Sequence, residues 1–146
     1  MSISWEDIFL DINEFDVRRV LEQWAPLVSG PLQPIGMSAF GDVYFIRPDE
    51  TVHVLDVLEG QLKQVAPNQA EFAACMNSKE WQEGNLLPGV VWQLHNRGIK
   101  RAPGQVFGFA PHPAFAGKID PERAMPLDAV VWHSICSQSV GPQAKD

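Results

Sequence analysis

The chain has 146 residues, 45% hydrophobic and 20% charged, which excludes general disorder and suits one domain burying roughly 70% of its unfolded surface. The net charge is −7, and eleven Asp or Glu face three Arg in residues 1–59, while residues 60–146 are nearly balanced. That acidity argues against direct nucleic-acid binding, which needs a basic face to displace counterions from phosphates.

The N-terminus has neither the basic nor the apolar region of a signal peptide, and no apolar run nears the ~20 residues of a membrane span. A cytoplasmic protein with no membrane association is expected. The only two cysteines, Cys75 and Cys136, are too few for a disulfide-stapled secreted domain and read as reduced, buried thiols.

Trp5, Ile8, Phe9 and Ile12 fall at helical spacing, so residues 5–12 read as a first helix. Asp16 is placed to cap a second, Val17 to Trp24, which Pro26 ends. Leu32 to Ala39 suits an edge strand. Val43-Tyr44-Phe45-Ile46 is apolar on both faces and reads as a central strand. The turn Arg47-Pro48-Asp49-Glu50 fits type I and leads into a hairpin partner, Thr51 to Asp56. Leu62 to Val65 is a weaker third strand.

Asn68 then caps a helix that turns Phe72, Cys75 and Met76 inward. Leu87, Val90, Val91 and Leu94 mark another, with Pro88 in its first turn and Gly98 past its end. Gln105 to Ala110 reads as a strand, followed by an exposed corner at Pro111-His112-Pro113. Residues 128–140 suit a helix capped by Asp128, with Val131, Ile135 and Gln138 at helical spacing. Val130-Val131-Trp132 would also suit a strand, but the helix is favoured. The expected fold is α+β: an antiparallel sheet, from the hairpin 42–56 plus strand 105–110, packed with several helices in a single domain. Residues 1–30 form its helical start, 31–140 its body, and 141–146 a frayed tail.

Chemistry is sparse. His53, His95, His112 and His133 lie on separate elements without a second ligand at i+3 or i+4, so neither a metal nor any other cofactor is expected. Cys136 lies three residues from His133, the best nucleophile–base pair available, although a core cysteine beside a satisfied histidine is the favoured reading of the spacing. Asp56 and Glu59 sit near a strand end, where solvated carboxylates are usual.

Ala39-Phe40-Gly41-Asp42-Val43-Tyr44-Phe45, Val52-His53-Val54-Leu55-Asp56 and Leu58-Glu59-Gly60 carry a resemblance. They resemble the bacterial immunity proteins that protect cells from DNase toxins delivered by type VI secretion, whose C-terminal module was first classed as a domain of unknown function. Gly104-Gln105-Val106-Phe107-Gly108-Phe109 and Asp128, Val131, Ser134, Ile135 and Gln138 extend the likeness over roughly residues 35–140. It implies a non-catalytic protein that binds and neutralises a cognate toxin, a basic nuclease, through protein–protein contact. Acidic residues suit such a partner by electrostatic steering. Asp49, Glu50, Asp56 and Glu59 around the hairpin are the first candidates for the contact, and Asp11, Glu14 and Asp16 the next. Phe40, Gly41, Asp42 and Gly60 read as fold-determining. The alternative is a small Cys/His-dependent enzyme or a small-ligand-binding domain lined by some of the five Trp.

Overall fold

The computed structural model describes residues 3–141. It is α+β. In chain order the elements are α1 (Trp5–Ile8), β1 (Phe9–Leu10), a 3-10 turn (Ile12–Glu14), α2 (Val17–Glu22), β2 (Gln33–Ser38), β3 (Val43–Ile46), β4 (Val52–Asp56) and β5 (Gln61–Ala66). Then follow α3 (Gln69–Met76), α4 (Lys79–Asn85), α5 (Pro88–Asn96), β6 (Gln105–Phe109), α6 (Pro113–Ala116), a 3-10 turn (Pro121–Arg123), β7 (Ala124–Asp128) and α7 (Ala129–Val140). Strands β1 to β5 form one antiparallel sheet in sequence order, and β6 pairs with β7 in a separate two-stranded sheet.

Strand β3 is central, as its apolar run predicts, and Val43, Tyr44 and Phe45 are buried. Its turn into β4 closes with a Glu50 N–H to Arg47 C=O bond of 2.8 Å, and Glu50 takes a left-handed φ of 71°. That is the type I turn with a left-handed residue after it that suits a tight hairpin. The predicted strand at 105–110 is present, but it lies beside β7, not in the main sheet. One backbone bond, Phe107 N–H to Ala39 C=O at 2.8 Å, ties it to the turn before β3.

Other expectations need correction. The helix predicted over 5–12 stops at Ile8, because Phe9 pairs with Ser38 and lays its ring where Gly36 has no side chain. Strand β2 is therefore covered by β1 for two residues and is not a free edge. Residues 3–30 are not helical throughout, since β1 falls among them, and Ile8, Leu10, Val20, Trp24 and Val28 are buried in the core. Residues 142–146, most of the predicted tail, lie outside the described residues.

Residues 129–140 do form a helix, capped by Asp128, whose carboxylate accepts from Val131 N–H at 3.2 Å. The stripe at helical spacing is not its buried face. Val131 and Ile135 are 49% and 38% exposed, and Trp132, His133 and Cys136 are fully buried instead. Of the Pro111-His112-Pro113 corner, Pro111 is exposed as expected, but His112 is buried and stacks on Trp132 at 5.5 Å. Cys75 is only half-buried.

Two aromatic groups organise the core. Tyr44 gathers Phe9, Phe72 and Trp81, with the Tyr44 and Phe72 rings stacked at 5.6 Å. Phe40 stacks on Phe109 at 5.7 Å, and its carbonyl accepts from Trp132 Nε1 at 2.8 Å. The second group fastens α7 and the β6–β7 hairpin to the turn between β2 and β3.

Candidate functional site: an acid-floored cleft

Two turns build the site. Between β2 and β3 the chain reverses over Ser38 to Asp42, with Ser38 N–H bonded to Asp42 C=O at 2.8 Å. Gly41 has φ +102°, and a side chain there would press on the Trp132 indole. Ser38 Oγ accepts from the Phe40 and Asp42 amides and donates to Asp42 Oδ2 at 3.0 Å. Between β4 and β5, Asp56 Oδ1 accepts from the Leu58 and Glu59 amides, both at 3.1 Å. Gly60 leaves this turn at φ +69°, beneath the Val140 carbonyl.

Strand register joins the turns. Val43 pairs with Leu55 across the antiparallel β3–β4 ladder, which sets Asp42 beside Asp56. Asp42 Oδ1 then accepts from Val57 N–H at 3.0 Å. The two segments open onto a cleft of about 370 Å³. Asp42, Tyr44 and Val54 form its floor, Leu58, Glu59 and Lys63 one wall, and Leu87, Pro113, Lys118 and Ile119 parts of the others.

The charges are unevenly matched. Lys63 Nζ sits 2.8 Å from Glu59 Oε2 and 3.1 Å from Asp56 Oδ2, and its pKa is raised chiefly by the bond to Glu59 and then by that to Asp56. Asp42 has only neutral donors, one on each oxygen. Burial, and then the Asp56 charge, push its pKa up to about 7, and the Val57 and Ser38 bonds offset this only in part. The Tyr44 hydroxyl is pushed up by burial and by the Asp42 and Asp56 charges. The cleft thus holds a carboxyl poised between its two forms near neutrality. Among the described residues no group of three or more His, Cys, Asp or Glu is arranged to hold a metal ion.

The seven acidic candidates are not brought together. Asp56 and Glu59 line the cleft. Asp49 and Glu50 sit at the opposite end of the β3–β4 hairpin, roughly 15–20 Å away by strand rise. There Asp49 accepts from Thr51 Oγ1 at 2.6 Å and from Thr51 N–H at 3.1 Å, and its pKa is lowered by these bonds. Asp11 caps the first 3-10 turn, and Asp16 caps α2. Glu14 pairs with Arg101 at 2.8 Å in a second hollow of about 260 Å³ that also holds His95 and Lys100.

The fold-determining four have clear local roles. Phe40 is core, Gly41 and Gly60 meet steric limits, and Asp42 holds the two turns together. Sequence reasoning missed the Asp42 carboxyl as a chemical group, together with Ser38, Lys63 and His112. His112 Nδ1 accepts from Ala114 N–H at 3.0 Å, so its Nε2–H faces the Val57 carbonyl at 3.4 Å. The one available signal was register, because a hairpin closed at Arg47–Glu50 must set residue 42 near residue 56.

The Cys136–His133 pair is buried and not activated. Cys136 is fully buried, and its thiol is pushed up by burial and by the Asp42 and Asp56 charges. His133 is driven down to about 4 by burial, and its Nδ1 is already occupied by Trp24 Nε1–H at 2.8 Å. A nucleophile needs a thiolate, and this environment disfavours one.

No protein-family model matches the chain, and no curated protein matches it. The fold is similar to the crystal structure of Atu4351 from Agrobacterium tumefaciens, with a TM-score of 0.57 and 20% identity over 84% of this chain. The match covers 61% of that chain, so this protein spans about three-fifths of its length. At this identity the likeness is one of fold alone.

Proposed function

We propose that this protein is a non-catalytic immunity protein that binds and neutralises a cognate toxin, a nuclease delivered by type VI secretion. One observation carries the reading. The segments that resemble such proteins, Phe40 to Phe45 and Val52 to Gly60, converge on one cleft floored by a carboxyl without a counter-ion of its own. A DNA-cutting enzyme presents basic groups to phosphates, and an acidic module can occupy the same groups. The excess of acids in residues 1–59 supports steered association with such a partner. The protein would act in the cytoplasm of the cell that makes it, with no membrane association and no direct contact with nucleic acid.

The test is co-expression with the product of the adjacent gene, followed by pull-down across a salt series. Rescue of growth, with binding that weakens as salt rises, is the expected result. A harmless neighbour that does not bind would overturn the reading. The volume of the cleft favours a second one, a small-ligand-binding domain, because about 370 Å³ lies within the range of ligand sites. That alternative predicts tight retention of a small molecule through purification and no growth rescue.

A further inference from the structure

We propose that the cleft seats a single arginine side chain of the protein partner, with Asp42 as the half-buried carboxylate, Glu59 the rim carboxylate and Lys63 the internal cation it displaces. This deepens the binding function proposed above and rests on it.

The shape suits a long cationic side chain. Leu58, Leu87 and Ile119 give apolar walls for methylene groups, and Asp42 lies at the floor and Glu59 at the rim. Arginine buries its stem along such walls while its head finds carboxylates. The charge pattern points the same way. Lys63 is bonded to Glu59 and Asp56 and reaches Asp42 through its charge alone, so the hydrogen bonds to the Asp42 carboxylate come from the Val57 amide and the Ser38 hydroxyl, and Lys118 on another wall is the one further cation of the lining. Each Asp42 oxygen keeps further acceptor capacity. A half-buried carboxylate with no ion pair of its own is disfavoured, and a guanidinium brings the planar fork that pairs two carboxylate oxygens at once. The Lys63–Glu59 pair is no obstacle, because both side chains are about half exposed and exposed ion pairs are weak.

Binding is coupled to a proton. The charged and titratable groups around Asp42 are Asp56, Glu59 and Lys63 at the β4–β5 turn and Tyr44 on its own strand. Cys136 and His133 on α7, with His112 and Lys118 around α6, complete the set. Burial keeps His112 and His133 neutral above pH 6.5 and keeps Tyr44 and Cys136 protonated well above neutrality. A guanidinium takes the deprotonated form of Asp42, so its affinity should rise about tenfold between about pH 6 and about pH 8.

The experiment titrates the 15N-labelled full chain with N-acetyl-arginine methylamide, and in parallel with its citrulline counterpart, at constant ionic strength. Saturable shifts of the Val57, Leu58 and Glu59 amides with the arginine probe alone are expected, tighter at the higher pH. Lys63→Met should tighten the probe about threefold or more, and Glu59→Gln should weaken it by a similar factor. Both positions are solvent-facing, so the fold is kept. Equal shifts with citrulline, unmoved Val57 and Glu59 amides, or an affinity independent of pH would each overturn the proposal. If the probe fails while the neighbouring gene product still binds and growth is rescued, the arginine seat falls and the immunity reading stands. If the probe binds and the neighbour does not, the reverse holds.

Discussion

Trp24 Nε1 donates to His133 Nδ1 at 2.8 Å, and both rings are fully buried. The bond joins the turn after α2 to α7 across 109 positions and fixes the tautomer, since Nδ1 accepts and Nε2 must carry the proton. That Nε2 is the one buried side-chain nitrogen or oxygen without a hydrogen-bond partner among the described residues. Losing the Trp24 donor would leave Nδ1 without a partner, with only the Gly41 backbone near Nε2. Trp24→Phe is therefore expected to cost roughly 2–4 kcal/mol, from the unpaired acceptor and the space left behind. Urea unfolding at neutral pH measures it. Adding His133→Leu should recover at least about 1 kcal/mol, because no buried polar atom then remains to satisfy. A strictly additive double variant would show that the bond contributes nothing.

Asp42 and His133 give opposite pH dependences. Burial holds Asp42 at about 7, against an ordinary 3.8, so the folded chain keeps a proton that the unfolded chain releases. Its contribution to stability is full below about pH 4 and is lost as pH rises to about 7. His133 is held at about 4, below its ordinary 6.5, so its contribution is full above 6.5 and is lost as pH falls towards 4. Between those limits the two effects offset each other in the wild-type protein. Asp42→Asn keeps an acceptor for the Val57 amide and removes one of them. Its stability relative to wild type should rise by roughly 1–3 kcal/mol from about pH 4.5 to about pH 7.5. Denaturant titrations at the two pH values decide it. A difference that stays constant would mean that Asp42 ionises in its ordinary range.

Glycine has different meanings at Gly60 and Gly84. Gly60 combines φ +69° with a backbone so close to α7 that an added Cβ would run into the Val140 carbonyl. Gly84 lies in α4 with nothing within 4 Å of the same added atom. Gly60→Ala should destabilise by roughly 2–4 kcal/mol, whereas Gly84→Ala should stabilise by roughly 0.5–1 kcal/mol through helix propensity. Thermal unfolding of the two variants side by side tests the contrast. A harmless Gly60→Ala would mean that the β4–β5 turn is not held against the end of α7.

What the sequence made legible was local. The β3–β4 hairpin follows from apolar runs and a Pro-Asp turn, and α2, α3 and α7 follow from Asp16, Asn68 and Asp128 as caps. What it hid depended on distant contacts. Phe9 and Leu10 have helical spacing, yet pairing with β2 over the bare Gly36 makes them a strand. Strand β7 has no alternation and places Pro126 opposite Phe107, so only its partner β6 defines it. On α7 the apolar Val131 and Ile135 drew attention from His133, whose burial requires the Trp24 donor from the other end of the chain. Asp42 was legible as a turn residue. Its carboxyl chemistry was not, because that comes from register with Asp56 and from burial beneath other elements.

The two thiols separate the binding reading from the Cys/His alternative. Cys75 is half-buried on α3, whereas Cys136 is fully buried and its thiol is pushed up by its surroundings. Thiolate fraction and access both set the rate of alkylation. Iodoacetamide should therefore modify one cysteine of the native protein, at Cys75, and both in denaturant, with mass spectrometry as the count. Cys136→Ala should leave partner binding unchanged and cost roughly 1–2 kcal/mol in unfolding, the loss of one small buried group. Rapid modification of Cys136 in the native state would mean an accessible, ionised thiol beside His133. That result would restore the nucleophile–base pair as the centre of the protein's function.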